Sequence, residues 1–167
     1  GLVGIFLVLA LQFKSYIQPV AVLMSIPMAV IGVIWGHLAL GHELTMPSMV
    51  GLATLAGIVV NDNILLVAFI KDRLAAGEDV AHAARHAARD RFRAIMLTSL
   101  TTIAGLLPLL LETSNQAQFL IPLVISLTFG LFSATVLALL MVPSVFMIFD
   151  DLGLLKSEKA AAVTEKN

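Results

Sequence analysis

Every Lys and Arg in this 167-residue sequence falls in one of three stretches, separated by long apolar runs. The stretches are Lys14; then Lys71, Arg73, Arg85, Arg89, Arg91 and Arg93; then Lys156, Lys159 and Lys166. If each apolar run crosses a bilayer once, all ten basic residues land on the same side. That is the charge bias of a helical membrane protein, whose cytoplasmic connections collect Lys and Arg. Composition agrees. Hydrophobic residues make up 59% and charged residues 13%, about half the charged fraction of a soluble domain. The net charge of -1 carries no message, because the charges are segregated rather than unbalanced. No basic patch with interleaved aromatics is present, so nucleic acid is excluded as a partner. Cysteine is absent, which excludes a disulfide framework, a thiolate metal site and a thiol nucleophile.

The apolar runs cover residues 1–13, 17–40, 44–70, 94–111 and 119–149. They lack the alternation of barrel strands. The expected fold is therefore an all-α membrane bundle of five spans, occupying residues 1–155, with a polar, disordered cytoplasmic tail over 156–167. The first run is shorter than the roughly 20 residues a crossing needs. It has no basic region before it and no small-residue cleavage site, so it is not a signal peptide. The expectation is a chain that begins inside a transmembrane helix, as a fragment of a longer protein. Basic and base-free connections alternate along the chain, which puts the amino end outside and the carboxyl tail inside. The long basic connection holds an Ala-rich stretch. Val80, Ala84, Ala87 and Ala88 share one face there, with Arg85 and Arg89 on another, so a short amphipathic cytoplasmic helix is expected over about 79–92. Gly32-x-x-x-Gly36 and Ala53-x-x-x-Gly57 place small residues on one helix face, where neighbouring backbones can approach.

The chemistry of the membrane region lies at Asn61-Asp62-Asn63. Asp62 is the one acidic or basic residue well inside any apolar run. A carboxyl at that depth is costly, so it must face the bundle interior, find partners or be protonated. Two readings follow. Asp62 is either a proton carrier or a neutral packing residue hydrogen-bonded to Asn or Thr; intramembrane acids favour the first. Thr98, Ser99, Thr101 and Thr102 cluster in the fourth run and can donate and accept hydrogen bonds. The simpler reading for all four is a bond back to the carbonyl one turn earlier. Gln12, Gln18, His37 and His42 lie near run ends and read as interfacial. His82 and His86 are four apart and share a face, a spacing that can hold a metal. A solvated polar face is the simpler account, because no third His accompanies them. No catalytic set is visible, so an enzyme is not expected, and no cofactor is implied.

The run Gly57-Ile58-Val59-Val60-Asn61-Asp62-Asn63-Ile64-Leu65-Leu66-Val67 resembles the tenth transmembrane helix of the resistance-nodulation-division (RND) efflux pumps. Arg91-Phe92-Arg93-Ala94-Ile95-Met96-Leu97-Thr98-Ser99-Leu100-Thr101-Thr102, continuing to Pro108-Leu109, resembles their entry into the eleventh. Leu11-Gln12-Phe13-Lys14-Ser15-Tyr16 is similar to the turn between the eighth and ninth. Thr135-Val136-Leu137 through Val142-Pro143 is similar to the twelfth. The match spans about residues 1–155 in order, and lies nearest the multidrug and heavy-metal, acriflavine-resistance-like branch.

The resemblance implies a proton-driven exporter of the Gram-negative inner membrane, with protons as the coupling ion. Its twelve helices form two pseudo-symmetric halves; this chain corresponds to the end of the eighth helix through the twelfth. The partners so implied are the lipid bilayer, the other membrane half and the periplasmic domains. A homotrimer with a periplasmic adaptor and an outer-membrane channel is implied for the whole. In the family, paired aspartates of the fourth helix face a lysine of the tenth and a threonine of the eleventh. Thr98 matches the threonine, and Asn61 occupies the lysine position. Arg91 matches a basic residue at the cytoplasmic mouth. The relay candidates are therefore Asp62, Asn61 and Thr98, with Asn63, Thr102 and Arg91 as secondary polar candidates. The alternatives are the membrane part of a related protein-export or lipid-export subunit, and a non-transporting scaffold or gene remnant.

Overall fold

The computed structural model describes residues 1–154. The expected tail, with Lys156, Lys159 and Lys166, lies outside the described residues. Within them the chain is all-α: α1 (Leu2–Phe13), α2 (Ile17–Leu23), α3 (Ser25–Leu40), α4 (Met46–Ala75), α5 (Val80–Leu110), α6 (Asn115–Gln118) and α7 (Ile121–Asp151). Four stretches are long and apolar enough to cross a membrane: Ile17–Leu40, Met46–Ala75, Val80–Leu110 and Ile121–Asp151. The 12 residues of α1 reach only about 18 Å at 1.5 Å per residue, short of the roughly 30 Å hydrocarbon layer.

The second expected span is broken at Met24 into α2 and α3. Pro27 explains the break. Its nitrogen cannot donate to Leu23, and its ring crowds that carbonyl. The Ser25 hydroxyl compensates nearby by donating to the Val22 carbonyl at 2.5 Å. Gly41 then ends α3 with φ +67°, a left-handed conformation that glycine adopts without a Cβ clash.

The separate cytoplasmic helix expected over 79–92 is instead the first half of α5. The helix runs unbroken into the fourth span, because no Gly or Pro interrupts it before Gly105. The predicted stripe is nevertheless in place. Val80, Ala84 and Ala87 are buried in one cluster with Phe13, Ile70 and Phe146. Packing against the bundle end holds this segment collinear with the span. At about 45 Å, α4, α5 and α7 each exceed the hydrocarbon thickness, so they tilt or project.

α7 is the centre of the bundle; α3, α4 and α5 all pack on it. Small residues permit the close approach. Gly32 and Gly36 lie directly against the Phe129 backbone, the Phe129 ring and Ser133, and Gly130 lies against Leu55 and Val33. The Gly32/Gly36 pair thus does what its spacing promised. The Ala53/Gly57 pair does not: both are exposed, and a Cβ on Gly57 would meet nothing within 4 Å. On α4 it is Gly51, against Leu123 and Ser126, that makes the close contact.

The two ends of the bundle differ. At one, the Lys71 ammonium donates to the Phe13 carbonyl at 2.5 Å, and Arg73 pairs with Glu78 at 2.9 Å and Asp90 at 2.5 Å. Arg91 stacks its guanidinium 3.7 Å from the centre of the Phe69 ring. At the other, His37 Nδ1 meets the Val33 carbonyl at 2.9 Å and Nε2 meets Ser48 Oγ at 2.8 Å. Ser126 Oγ donates to the Ser48 carbonyl at 3.1 Å. His37, in the last turn of α3, is buried and fastens α3 to α4. Of the other polar residues near span ends, Gln18 is buried against the bundle, whereas Gln12 and His42 are exposed.

Candidate functional site

Asn61, Asp62 and Asn63 lie on one unbroken turn of α4, so their side chains leave the helix about 100° apart. The consequence is a division of labour by direction. Asn61 is exposed, Asp62 half-buried and Asn63 buried. Val59, Asp62 and Asn63 line a small cavity of about 10 Å³ between α4, α5 and α7. Ile95 closes it from α5, and Leu131 and Thr135 from α7. Asn63 is 3% exposed, and its Nδ2 has no hydrogen-bond partner among the described residues.

The hydroxyls of α5 also divide. Thr98 donates to the carbonyls of Ala94 at 2.8 Å and Ile95 at 3.0 Å. Thr101 donates to Leu97 and Thr102 to Thr98, both at 2.8 Å. All three threonines are exposed and bond back along their own helix, as the simpler reading held. Ser99 departs from it. It is buried and lies 2.7 Å from Thr135 Oγ1 on α7. Thr135 already donates to the Leu131 carbonyl at 2.7 Å, so Ser99 is the donor in the pair. Nothing in the run Thr98–Thr102 singles out Ser99 by chemistry. Ser99 shares a face with buried Ile95, four residues earlier, but that burial is decided by the neighbouring helices and was not legible in the sequence.

The candidates therefore fall into two groups. Asn61, Thr98 and Thr102 lie on surfaces of α4 and α5 that no described residue covers, and Gly57 and Ala53 continue the α4 surface by about one and two turns. Asp62 and Asn63 turn toward α7, next to the Ser99–Thr135 pair. Arg91 joins neither group; it packs on Phe69, and its Nε is buried without a partner among the described residues. His82 and His86 have ring centroids 6.2 Å apart and are both exposed. Among the described residues no cluster of three or more His, Asp or Glu is placed to hold a metal ion.

A family model described as the AcrB/AcrD/AcrF family matches residues 1–150. The chain belongs to this family. Membership accounts for the multi-pass helical architecture and identifies the chain as related to RND-type transporters. It also gives the polar turn of α4 and the hydroxyl run of α5 a transporter context, rather than that of an isolated membrane bundle.

Proposed function

We propose that this chain is the C-terminal membrane half, from the end of the eighth helix to the twelfth, of a proton-driven RND exporter in the inner membrane of a Gram-negative cell. The observation that carries the reading is the uncovered polar surface of α4 and α5. Asn61, and Thr98 with Thr101 and Thr102, expose polar groups on helices long and apolar enough to cross a membrane, and Gly57 one turn from Asn61 leaves room for another backbone. Polar groups facing hydrocarbon are costly, so such a surface is expected to be covered by protein. The resemblance supplies the cover: the opposite membrane half, with its paired aspartates.

In this reading Asn61 and Thr98 hydrogen-bond those aspartates in one protonation state and release them in the other. Thr98 can do so by rotating away from its own helix carbonyls. Asp62 adds an ionisable group on the adjoining face of α4, so a proton gained or lost there changes the charge between α4 and α7. Arg91 stands near the basic end, which is the cytoplasmic one by the charge bias. The amino end of α1 is then periplasmic and the end of α7 cytoplasmic. The chain alone supplies half of the relay and is not expected to transport.

The test is proton flux through the whole transporter in proteoliposomes under an imposed pH gradient, with export of amphiphilic dyes followed in parallel. Asp62→Asn and Asn61→Leu should each reduce coupled flux severely, and Thr98→Val less so. Wild-type flux in both Asp62→Asn and Asn61→Leu would remove these residues from the relay. Dye resistance conferred by the 167-residue chain alone would overturn the assignment to half a transporter.

A further inference from the structure

We infer that the cavity beneath Asp62 binds one water molecule, which hydrogen-bonds Asp62, Asn63 and Thr135 together between α4 and α7. The volume of about 10 Å³ is that of a single water position, and a polar cavity of this size with two to four polar partners holds a water. The hydrogen-bond accounting defines what the occupant must do. Asn63 has N–H donors without an acceptor, although the residue is 3% exposed. Thr135 Oγ1 has used its proton on the Leu131 carbonyl and one lone pair on Ser99, which leaves one lone pair. The Asp62 carboxyl makes no side-chain hydrogen bond to any other described residue, and in either protonation state at least one of its oxygens is an acceptor that lacks a donor. The site therefore lacks at least one acceptor, since Asn63 Nδ2 carries two N–H groups, and two donors. Water supplies that set: it accepts from Asn63 and donates to Asp62 and to Thr135.

A cation does not satisfy the same set. It would meet the oxygens of Asp62 and Thr135 but leave the Asn63 N–H groups unpaired, unless the amide turned over. Leaving a buried donor unpaired is what the site would otherwise have to endure. The bridging water also links Asp62 to Ser99 through Thr135. The protonation state of Asp62 is then felt by both α5 and α7, without any contact from the uncovered face that carries Asn61.

The test is water-edited solid-state NMR on the full chain in lipid bilayers, which reads magnetisation passed from water protons to the Asn63 side-chain nitrogen. Leu66 and Val67, both fully buried on the same helix, provide the dry reference. Transfer to Asn63 should be several times faster than to either reference. Ala138→Leu, which places a larger side chain into the cavity lining, should bring it down to the reference rate. Thr135→Val, close in shape but lacking the acceptor, should slow it while leaving the helices intact, and it decides the matter if Ala138→Leu does not fold. Transfer at the reference rate in the unmodified chain would show a dry cavity and overturn the proposal. So would transfer unchanged in both variants. A rate that depends on sodium, compared with a bulky organic cation, would overturn it in favour of a bound ion.

Discussion

Lys71 donates from Nζ to the main-chain carbonyl of Phe13 at 2.5 Å, across 58 positions of sequence. The same ammonium stands 5.9 Å from the centre of the Phe13 ring. The bond satisfies a carbonyl in the last turn of α1, where no helical partner remains. It also anchors a helix that packs mainly on α2. Lys71→Met keeps the apolar stem and removes the donor. A hydrogen bond to a charged group contributes about 1.5–3 kcal/mol, so the variant should unfold at lower denaturant or temperature. Amide exchange should rise first over residues 9–14, which hydrogen–deuterium exchange on the chain in nanodiscs reads directly.

This bond brings the ends of α1 and α4 together, and the Arg73 pairs with Glu78 and Asp90 close the α4–α5 connection at the same end. The described basic residues Lys14, Lys71 and Arg73 thus share an end in space as well as in sequence. Cysteine introduced at Ala76 should resist an impermeant thiol reagent in whole cells, and cysteine at Ser114 should react. Labelling at Ala76 with protection at Ser114 would invert the assignment.

Arg73 bridges two acids while partly solvated, and such pairs are screened by salt. Arg73→Gln should make the connection around Gly77 more open to proteolysis. High salt should have the same effect on the unmodified chain and little further effect on the variant. Equal cleavage rates in all four conditions would show that the pairs do not hold the connection.

Ser99 and Thr98 are neighbours with opposite roles. Ser99→Ala removes the donor to Thr135 in a buried site, which should cost about 0.5–1.5 kcal/mol. Thr98→Val removes a hydroxyl that bonds only its own helix and should leave the stability of the chain nearly unchanged. Reversible unfolding in mixed micelles compares them. A silent Ser99→Ala would demote the α5–α7 bond to a coincidence of packing.

Two glycines separate the core from the uncovered surface. Gly130→Val would drive a side chain into Leu55 and Val33, and overpacking of this kind costs about 1–3 kcal/mol or more. Gly57→Val meets open space. It should fold normally here but impair association with a covering membrane half. Co-purification of the two halves, expressed as separate chains, measures that loss. Normal association would show that this face of α4 is not the docking face.

The segregated basic residues and the uninterrupted apolar runs were sufficient to establish an all-α membrane bundle and the order of its helices. Both are one-dimensional properties, since bilayer thickness and charge bias act on the chain segment by segment. The proline break at Met24 was also within reach of local chemistry. Tertiary structure decided which side of each helix was used. Gly32/Gly36 and Ala53/Gly57 are equivalent as patterns, yet one pair meets Phe129 while the other is uncovered, because α7 packs between α3, α4 and α5. Likewise Asn61, Asp62 and Asn63 are three polar neighbours in sequence. Only the position of α7 assigns Asn61 to the outer face and Asp62 and Asn63 to the cavity, for the same reason that Ser99 alone among the α5 hydroxyls finds Thr135. In a helix apolar on every side, no hydrophobic stripe reveals the buried face, so that choice rests with the neighbouring helices.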